Sequence, residues 1–327
     1  MLPIAVDVMG GDTPPPEIVA GARRAADEFD VEVLVVGRPE EMGDTGGLEV
    51  IAASEVIEMT DDPAQGVRRK KDASMVRAAE AVRDGRASAM VSAGNTGAVM
   101  ASALLRMGRI SGVQRPAIAT VIPVPGARPT VLLDSGANSE CTAAWLVQFA
   151  QMGTAFAAER LGLAEPRVAL LSIGEEPTKG TTLVKETNRL LAEPGALRGM
   201  GRFVGNVEGR DILTDAADVV VTDGFTGNVV LKTLEGGLRV LVEAFLGAMT
   251  STPEARTAAE VLLPVLAPLH AELDPDSYGG AMMLGVEGVC IVSHGSSTTR
   301  AIVNAVGVAK EMVTAGLVER LRKAVGG

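Results

Sequence analysis

The chain has 327 residues, a formal net charge of −11, 47% hydrophobic residues and 2% aromatic residues. This charge and the shortage of aromatic rings exclude the basic, stacking surface that nucleic-acid binding normally needs, so we expect no nucleic-acid partner. The two cysteines, Cys141 and Cys290, form no CxxC pair, which excludes a disulfide framework and favours a reducing, cytoplasmic location. Two histidines are too few for a His-rich metal site. Composition leaves a carboxylate-bound magnesium open, but we expect no metal and no cofactor.

Strands are predicted from the N-terminus onward. The segment Met1–Met9 lacks a basic region and carries Asp7 within its apolar stretch, so it predicts a first strand rather than a signal peptide. Further apolar, β-branched runs predict more buried strands, and none of the uncharged apolar runs is long enough to span a bilayer. The predicted strands are Ile4–Val8, Val31–Val36, Ala89–Ser92, Ala117–Pro123, Thr130–Leu133, Arg167–Ser172, Phe203–Gly205, Val219–Thr222 and Gly288–Val292.

Segments of helical period lie between many of these strands. They include Pro15–Phe29, Ser74–Arg83, Gly97–Met107, Thr142–Arg160 and Thr181–Leu191. This alternation predicts an α/β protein with a doubly wound, mostly parallel, Rossmann-like sheet that carries helices on both faces. Because no repeat or Ser/Gly linker divides the chain, we expect a single α/β domain over residues 1–327.

A helical hairpin is predicted as an insertion at about residues 225–273. A long helical pattern at Gly224–Met249 meets a second at Glu254–Leu273, and Thr252 and Pro253 are suited to cap and begin the second helix. This second pattern contains nine uncharged residues interrupted by two prolines. One interpretation is an apolar tip that touches a membrane surface, and the other is a dimer contact or core packing. The tip residues are Leu262, Leu263, Val265 and Leu266.

Four glycine- and asparagine-containing turns follow predicted strands. Small residues let a ligand approach the backbone, and the N-terminus of a helix behind each turn offers unpaired N–H groups to an anion. A plain strand-to-helix connection is the alternative for each turn taken alone. Because ligands of such sheets bind beyond the carboxyl ends of the strands, we expect the four turns to form one anion-binding mouth. The turns are Ser92–Ala98, Gly205–Asp211, Asp223–Asn228 and His294–Ser297.

Eight ordered motifs give the chain a specific resemblance to a known family. They are Ile4–Asp12, Ser92–Ala98, Leu133–Asn138, Leu171–Glu176 with Lys179 and Gly180, Gly205–Asp211, Asp223–Val230, Tyr278–Gly280 and His294–Ser297. The chain resembles the acyl-carrier-protein:phosphate acyltransferase (PlsX) family of bacterial phospholipid synthesis. One departure is Thr13, which stands where the family usually has a histidine.

The resemblance implies a fold similar to those of phosphotransacetylases and the isocitrate and isopropylmalate dehydrogenases. It also implies transfer of a long-chain acyl group from acyl carrier protein to inorganic phosphate, which gives acyl phosphate for phospholipid synthesis. The partners it implies are the carrier protein, inorganic phosphate and a second copy in a homodimer. From the same resemblance we also expect peripheral contact with a membrane and with the downstream glycerol-3-phosphate acyltransferase.

The reaction so implied needs positioned donors more than a strong base. Phosphate is largely a dianion near neutral pH, and a thiol is a good leaving group. The site must therefore hold anions in line with a carbonyl and stabilise the oxyanion. Our catalytic candidates are Asn95, Lys185 and His294. The candidates for holding phosphate or substrate are Gly94, Thr96, Gly97, Glu175, Asn206, Glu208, Arg210, Asp223, Asn228, Ser296 and Ser297.

Each of these candidates has a plain structural alternative. Asn95 suits a helix cap, Lys185 suits a solvated surface, and the serines Ser296 and Ser297 suit a cap of a helix that begins near Thr298. The remaining turn residues could orient substrate or only tie loops together. His294 beside the two serines does not by itself make a triad, because no G-x-S-x-G elbow is present.

Two further features bear on mechanism and partners. Cys141 opens a predicted helix, so an acyl-cysteine intermediate is conceivable, although burial at the start of the helix is the ordinary explanation. The run Arg68, Arg69, Lys70 and Lys71 is the densest positive segment. We expect it to dock the acidic carrier protein, with a solvated loop as the alternative. Competing functions are an NAD-dependent dehydrogenase, for which no nucleotide pocket is located, and a non-catalytic acyl-phosphate or carrier-protein scaffold.

Overall fold

The computed structural model describes residues 1–13 and 15–326, and in these residues eleven strands form one sheet. All nine predicted strands are present, and their ends lie within two residues of the predicted ends. Two edge or antiparallel strands, β3 and β10, were not predicted. The strands are β1 Ile4–Asp7, β2 Val33–Gly37, β3 Glu49–Ala52, β4 Ala89–Ser92, β5 Ala117–Ile122, β6 Thr130–Leu133, β7 Arg167–Leu171, β8 Arg202–Val207, β9 Val219–Val221, β10 Ala281–Leu284 and β11 Val289–Val292.

The strand order is β3-β2-β1-β4-β11-β10-β5-β6-β9-β7-β8. The neighbours from β3 to β11 are parallel, and so are those from β6 to β8. Strand β10 is antiparallel to both β11 and β5, and β5 is antiparallel to β6. The sheet is therefore mostly parallel, but β6, β9, β7 and β8 run opposite to β1, β4 and β11.

Ten α-helices lie within the described part of the chain. Helix α4 continues into a π-helical turn at Ala103–Met107, and α2, which contains part of the basic run, was not predicted. The helices are α1 Pro15–Phe29, α2 Pro63–Arg69, α3 Ser74–Arg83, α4 Thr96–Ser102, α5 Ala143–Arg160, α6 Thr182–Leu191, α7 Gly224–Met249, α8 Pro253–Leu273, α9 Thr299–Thr314 and α10 Leu317–Val325.

Both faces of the sheet are covered, because the side chains of a strand alternate between its two sides. In β1, Ile4 and Val6 belong to one apolar cluster, with α1, α5, α9 and α10, whereas Ala5 belongs to a second cluster with α3 and α4. A smaller third cluster lies under the start of α7. The predicted doubly wound fold class is therefore confirmed.

Helices α7 and α8 are adjacent, joined by Thr250–Thr252, and Thr252 caps α8 as predicted. Its hydroxyl accepts a hydrogen bond from the backbone N–H of Ala255 at 3.1 Å, and Pro253 occupies the first turn. Helix α8 continues through Pro264 and Pro268 rather than breaking there.

The apolar tip of α8 is exposed. The exposed fractions of Leu262, Leu263, Val265 and Leu266 are 49%, 43%, 73% and 39%. These values contradict the alternative that the four side chains pack into the core of this chain. Within residues 1–13 and 15–326, no single helix is both long and apolar enough to cross a membrane. Helices α9 and α10 meet that test only together, as a pair bent by 60°, and both contribute many buried residues to the core.

Candidate functional site

The sheet has a topological switch point between β1 and β4. The chain moves outward from β1 to β2 and β3, and then returns to add β4 on the other side of β1. In open α/β sheets, ligands bind beyond the carboxyl ends of the strands at such a point. The turns that follow β1, β4 and β11 lie at this edge. We call residues 10–13, 92–97 and 294–297 the switch-point cluster.

The turns after β1 and β4 touch each other through two glycines. A Cβ atom added to Gly10 would lie 2.6 Å from the backbone nitrogen of Gly94 and 2.9 Å from the Gly94 Cα. A Cβ on Gly94 would lie 2.7 Å from Cε of Met75. These distances are shorter than real Cβ contacts, so the close approach of the two turns requires glycine at Gly10.

A buried carboxylate holds these two turns in place. Asp7 ends β1 and is 1% exposed. Its Oδ2 accepts a hydrogen bond from the Ser92 hydroxyl at 2.7 Å, and the Ser92 oxygen in turn accepts one from the Gly94 N–H at 3.2 Å. Burial raises the pKa of Asp7, and hydrogen bonds that include those from Ser74 and Ser92 act in the opposite direction. Sequence analysis missed Asp7 as a site residue; the available signal was a carboxylate at the last position of a buried strand.

The turn after β11 is tied to the turn after β1. The Thr13 hydroxyl donates to the Ser297 carbonyl oxygen at 2.8 Å, and the Asp12 N–H donates to the Gly295 carbonyl oxygen at 2.7 Å. Thr13, the departure from the family pattern, is therefore part of the cluster. Three helices, α1, α4 and α9, begin directly behind the three turns, so their positive dipole ends face the same edge.

Asn95 caps α4, as its structural alternative predicted. Its side-chain oxygen accepts from the Ala98 N–H at 3.1 Å, and its Nδ2 donates to the Met59 carbonyl oxygen at 2.9 Å. One amide hydrogen of Asn95 remains for a ligand. The neighbouring Thr96 is exposed, and Gly97 is half-buried in the first turn of α4. Gly94 is buried below them.

His294 is exposed at the rim of the cluster. Its Nδ1 accepts a hydrogen bond from the Ser296 N–H at 3.3 Å and lies 2.7 Å from the Ser296 hydroxyl oxygen. Because a backbone N–H only donates, the neutral ring carries its proton on Nε2, and this N–H is available to a ligand. Thr298, rather than either serine, caps α9, so the predicted serine cap is wrong. The Ser297 hydroxyl donates instead to the His294 carbonyl oxygen at 2.5 Å.

The other predicted site residues lie at the opposite edge of the sheet. Because β6, β7, β8 and β9 run opposite to β4 and β11, their carboxyl ends face away from the switch-point cluster edge. No hydrogen bond between described residues joins the two groups. The expectation of a single mouth at one edge is therefore wrong. The physical reason is that three antiparallel pairs, β11–β10, β10–β5 and β5–β6, separate the two groups of strands, so the groups run in opposite directions. We call residues 134–139, 172–185, 205–211 and 223–228 the opposite-edge cluster.

A second buried carboxylate organises part of the opposite-edge cluster. Asp134 follows β6, is 0% exposed, and accepts from the backbone N–H groups of Gly136, Ala137 and Asn138 at 3.2, 3.0 and 2.8 Å. Burial raises the pKa of Asp134, against those hydrogen bonds. A Cβ on Gly227 would lie 1.9 Å from the Asp134 carbonyl oxygen, so glycine lets α7 begin against this loop.

Asp223 and Asn228 serve this junction. Asp223 caps α7 by accepting from the Thr226 N–H at 2.9 Å, and it also accepts from the Thr226 hydroxyl at 2.8 Å. The Asn228 Nδ2 donates to the Ser135 carbonyl oxygen at 3.4 Å. Both side chains therefore tie loops together in the described structure.

The remaining candidates differ in how firmly they are held. Asn206 accepts from the Asn188 amide at 2.8 Å and donates to the Glu176 carbonyl oxygen at 2.9 Å. Glu208 pairs with the exposed Arg210 at 3.1 Å. Glu175 and Lys185 are exposed, with no hydrogen bond or ion pair to another described side chain.

The basic run is only partly available to a partner. Lys70 Nζ lies 2.6 Å from Asp61 Oδ2 and donates to the Val56 carbonyl oxygen at 2.7 Å. Arg68 and Arg69 are exposed on α2, and Lys71 is exposed just after it. The side chains of this run that are available to a partner are therefore those of the two arginines and Lys71.

Cys141 is a poor nucleophile in this structure. Burial is the main cause that raises the pKa of its thiol to about 12, and the negative charge of Asp134 adds to the effect. Because the thiolate is the reactive form, an acyl-cysteine intermediate has no support here. Burial likewise raises the pKa of Cys290 to about 12, within β11. Among the described residues, no three His, Cys, Asp or Glu side chains are grouped to hold a metal ion.

Known proteins similar to this chain identify its family. A profile described as "Fatty acid synthesis protein" matches residues 2–320. The chain belongs to this family. A phosphate acyltransferase of Desulfitobacterium hafniense (strain Y51) is 47% identical over 332 residues, which cover 99% of this chain and 97% of that protein. Another, of Heliobacterium modesticaldum (strain ATCC 51547 / Ice1), is 47% identical, with coverage of 99% and 98%.

Solved structures support the fold. A phosphotransacetylase from Streptococcus pyogenes gives a TM-score of 0.65 at 16% identity, with coverage of 96% of this chain and 94% of that one. A branched-chain phosphotransacylase from Enterococcus faecalis V583 gives 0.60 at 17% identity, with coverage of 96% and 100%. At such low identities the likeness shows the fold alone. The matching family and the names of the relatives confirm the family resemblance predicted from the motifs. They also confirm the predicted enzyme class, acyltransferase.

Proposed function

We propose that this protein transfers a long-chain acyl group from the phosphopantetheine thioester of acyl carrier protein to inorganic phosphate. The product, acyl phosphate, would serve phospholipid synthesis. The observation that supports this proposal most directly is the switch-point cluster, where three turns and three helix N-termini converge at the carboxyl ends of β1, β4 and β11. The relatives are named phosphate acyltransferases, which supports phosphate as the acceptor of the acyl group.

The chemistry suits the residues of this cluster. A phosphate oxygen attacks the thioester carbonyl carbon, the C–S bond breaks, and the thiolate leaves and takes up a proton. Phosphate needs no strong base, so the site has to supply orientation and donors for the oxyanion. The backbone N–H groups at the start of α4 and the remaining amide hydrogen of Asn95 are suited to hold phosphate. The Nε2–H of His294 is suited to donate to the carbonyl oxygen.

The opposite-edge residues keep a supporting role in the proposal. Lys185 stays a candidate partner of the substrate phosphate or the oxyanion because it is exposed and has no hydrogen bond or ion pair to a described side chain, but it lies at the edge opposite the switch-point cluster. Glu175 and Arg210, which belong to the same opposite-edge cluster, are also exposed. A kinetic comparison of Lys185→Ala with His294→Ala tests whether both edges contribute to one reaction.

The proposal extends to assembly and location. The single continuous sheet supports one domain over residues 1–327 with a hairpin insertion at about 225–273. The exposed apolar tip supports a homodimer contact or peripheral contact with a membrane surface and its glycerol-3-phosphate acyltransferase. The exposed Arg68 and Arg69 support docking of the carrier protein from the cytoplasm.

Turnover with purified components tests the proposed reaction. The protein is mixed with long-chain acyl carrier protein, with and without inorganic phosphate, and the free thiol and the hydroxylamine-trapped acyl phosphate are followed. We expect both products in equal amounts and only with phosphate. Binding of the carrier protein without formation of either product would refute the proposed acyltransferase activity and favour a non-catalytic scaffold.

A further inference from the structure

A cleft of about 300 Å³ lies apart from the switch-point cluster. Its apolar wall includes Met100 and Leu104, on α4 and its π-helical continuation, and its far side includes Arg115 and Trp145. The loop after β6 closes one end. None of these residues has a role in the reaction as described above.

Arg115 is held at this cleft without a counter-ion. Its guanidinium carbon lies 5.1 Å from the centroid of the Trp145 ring, which is a cation–π geometry. Glu140 also lines the cleft but lies outside ion-pair distance, and the structure shows no hydrogen bond from the Arg115 guanidinium to a described residue. Arg115 is exposed, so its positive charge faces the open cleft. A positioned and unpaired guanidinium is suited to a phosphate group.

Helix α4 connects this cleft to the switch-point cluster. It begins at Thr96 beside Asn95, and Leu104 lies eight residues further along, which at 1.5 Å per residue is about 12 Å. An extended phosphopantetheine arm is long enough to cover that distance. Helix α2, which carries Arg68 and Arg69, packs against α4, and its Val67 carbonyl oxygen accepts from Arg106 at 3.4 Å. A carrier protein docked on α2 would therefore deliver its arm along α4.

We propose that the cleft of Arg115 and Trp145 binds the phosphate of the phosphopantetheine arm that carries the acyl thioester. Met100 and Leu104 then contact the arm between its phosphate and its sulfur. This assignment rests on the proposed function, because it names how that substrate is held. It also explains why an arginine is stacked on a ring with no described protein anion within ion-pair distance.

Binding of small molecules tests the cleft without catalysis. Phosphopantetheine and pantetheine, which differ by the phosphate, are titrated calorimetrically into the full chain in phosphate-free buffer. We expect phosphopantetheine to bind about 10-fold more tightly than pantetheine to the wild type, and we expect Arg115→Ala to remove this preference. Arg202→Ala, which removes an exposed arginine on β8, is the matched control and should keep the preference. Equal binding of the two compounds by the wild type would overturn the proposal.

Steady-state kinetics distinguish binding of the carrier arm in the cleft from binding of inorganic phosphate at the switch-point cluster. Arg115→Ala should raise KM for acyl carrier protein about 10-fold and leave KM for inorganic phosphate unchanged. Arg115→Lys should recover part of this loss, because lysine keeps the charge but not the planar stacking on Trp145. An increase in KM for inorganic phosphate instead would place Arg115 in the phosphate site and refute the assignment. If the wild type shows no phosphate-dependent turnover, the proposed function fails, and the binding comparison still decides the cleft.

Discussion

Replacement of Gly10 by alanine tests whether the close approach of two turns is needed for activity. The nearest contact of the added Cβ, 2.6 Å from the Gly94 nitrogen, is about 0.8 Å short of the 3.4 Å at which ordinary contact begins. The Gly94 Cα and Asp7 Oδ2 both lie at 2.9 Å, and because the two Gly94 atoms belong to the backbone, no side-chain rotation relieves the clash. The turns after β1 and β4 must therefore separate by several tenths of an ångström.

We expect this shift to affect both stability and rate. Overpacking of this kind typically costs about 1–3 kcal/mol of unfolding free energy. Misplacement of reacting groups by about 1 Å can lower a rate by about a hundredfold, so we expect kcat for acyl phosphate formation to fall by about 10- to 100-fold. Urea denaturation measures the first effect, and hydroxylamine trapping of acyl phosphate measures the second.

A second glycine supplies a control of opposite sign. Gly236 lies within α7, and an added Cβ there meets no atom within 4 Å. Gly236→Ala should raise the unfolding free energy by about 0.5–1 kcal/mol, because alanine favours the helix. It should leave kcat unchanged. A Gly10→Ala protein as stable and as active as the wild type would refute the role assigned to the contact between the turns.

Three further predictions concern the thiol, the basic run and the apolar tip. With its pKa raised to about 12, Cys141 should react with iodoacetamide at pH 7–9 at least about a hundredfold more slowly than free cysteine, as measured by peptide mass spectrometry, and Cys141→Ala should remain active. Charge reversal of Arg68 and Arg69 to glutamate should raise KM for acyl carrier protein and weaken its salt dependence; an unchanged KM would exclude docking there. Leu262→Glu with Leu266→Glu should abolish flotation of the protein with liposomes, and wild-type protein that does not float would contradict membrane contact.

Elements with a strong apolar period could be predicted from the sequence almost to the residue. Strand β6, helix α1 and helix α7 begin and end where the pattern indicated. Strand β3 escaped prediction because it lies at the edge of the sheet, where the exposed residues of Glu49–Ala52 interrupt the apolar run. Helix α2 escaped because it is a single short amphipathic segment, Pro63–Arg69, capped by Asp62.

The site could be predicted only in part. Glycine-rich turns after strands identified the β4 and β11 turns of the switch-point cluster, because the physical need for close backbone approach is visible in the sequence. Asp7 was not identified, since a carboxylate within an apolar run indicates a functional site only once its partners Ser92 and Gly94 are known to lie beside it. The hydrogen bond between Thr13 and Ser297 joins residues 284 positions apart, and no local pattern reports it.

Strand direction decides which turns share an edge, and connection length carries more of that information than side-chain pattern does. The apolar pattern of a strand is the same whichever way it runs, but a parallel neighbour needs a crossover of a dozen or more residues. Only residues 123–129 separate β5 from β6, and only residues 285–288 separate β10 from β11. Both connections are too short for a crossover, so both pairs must be antiparallel. Two reversals alone would cancel, but β10 also pairs antiparallel with β5, and this third reversal moves the turns after β8 and β9 to the edge opposite those after β4 and β11. The anion binding that we propose at the switch-point cluster therefore relies on the helices α1, α4 and α9, which begin at that edge, and the opposite-edge residues can contribute only from outside it.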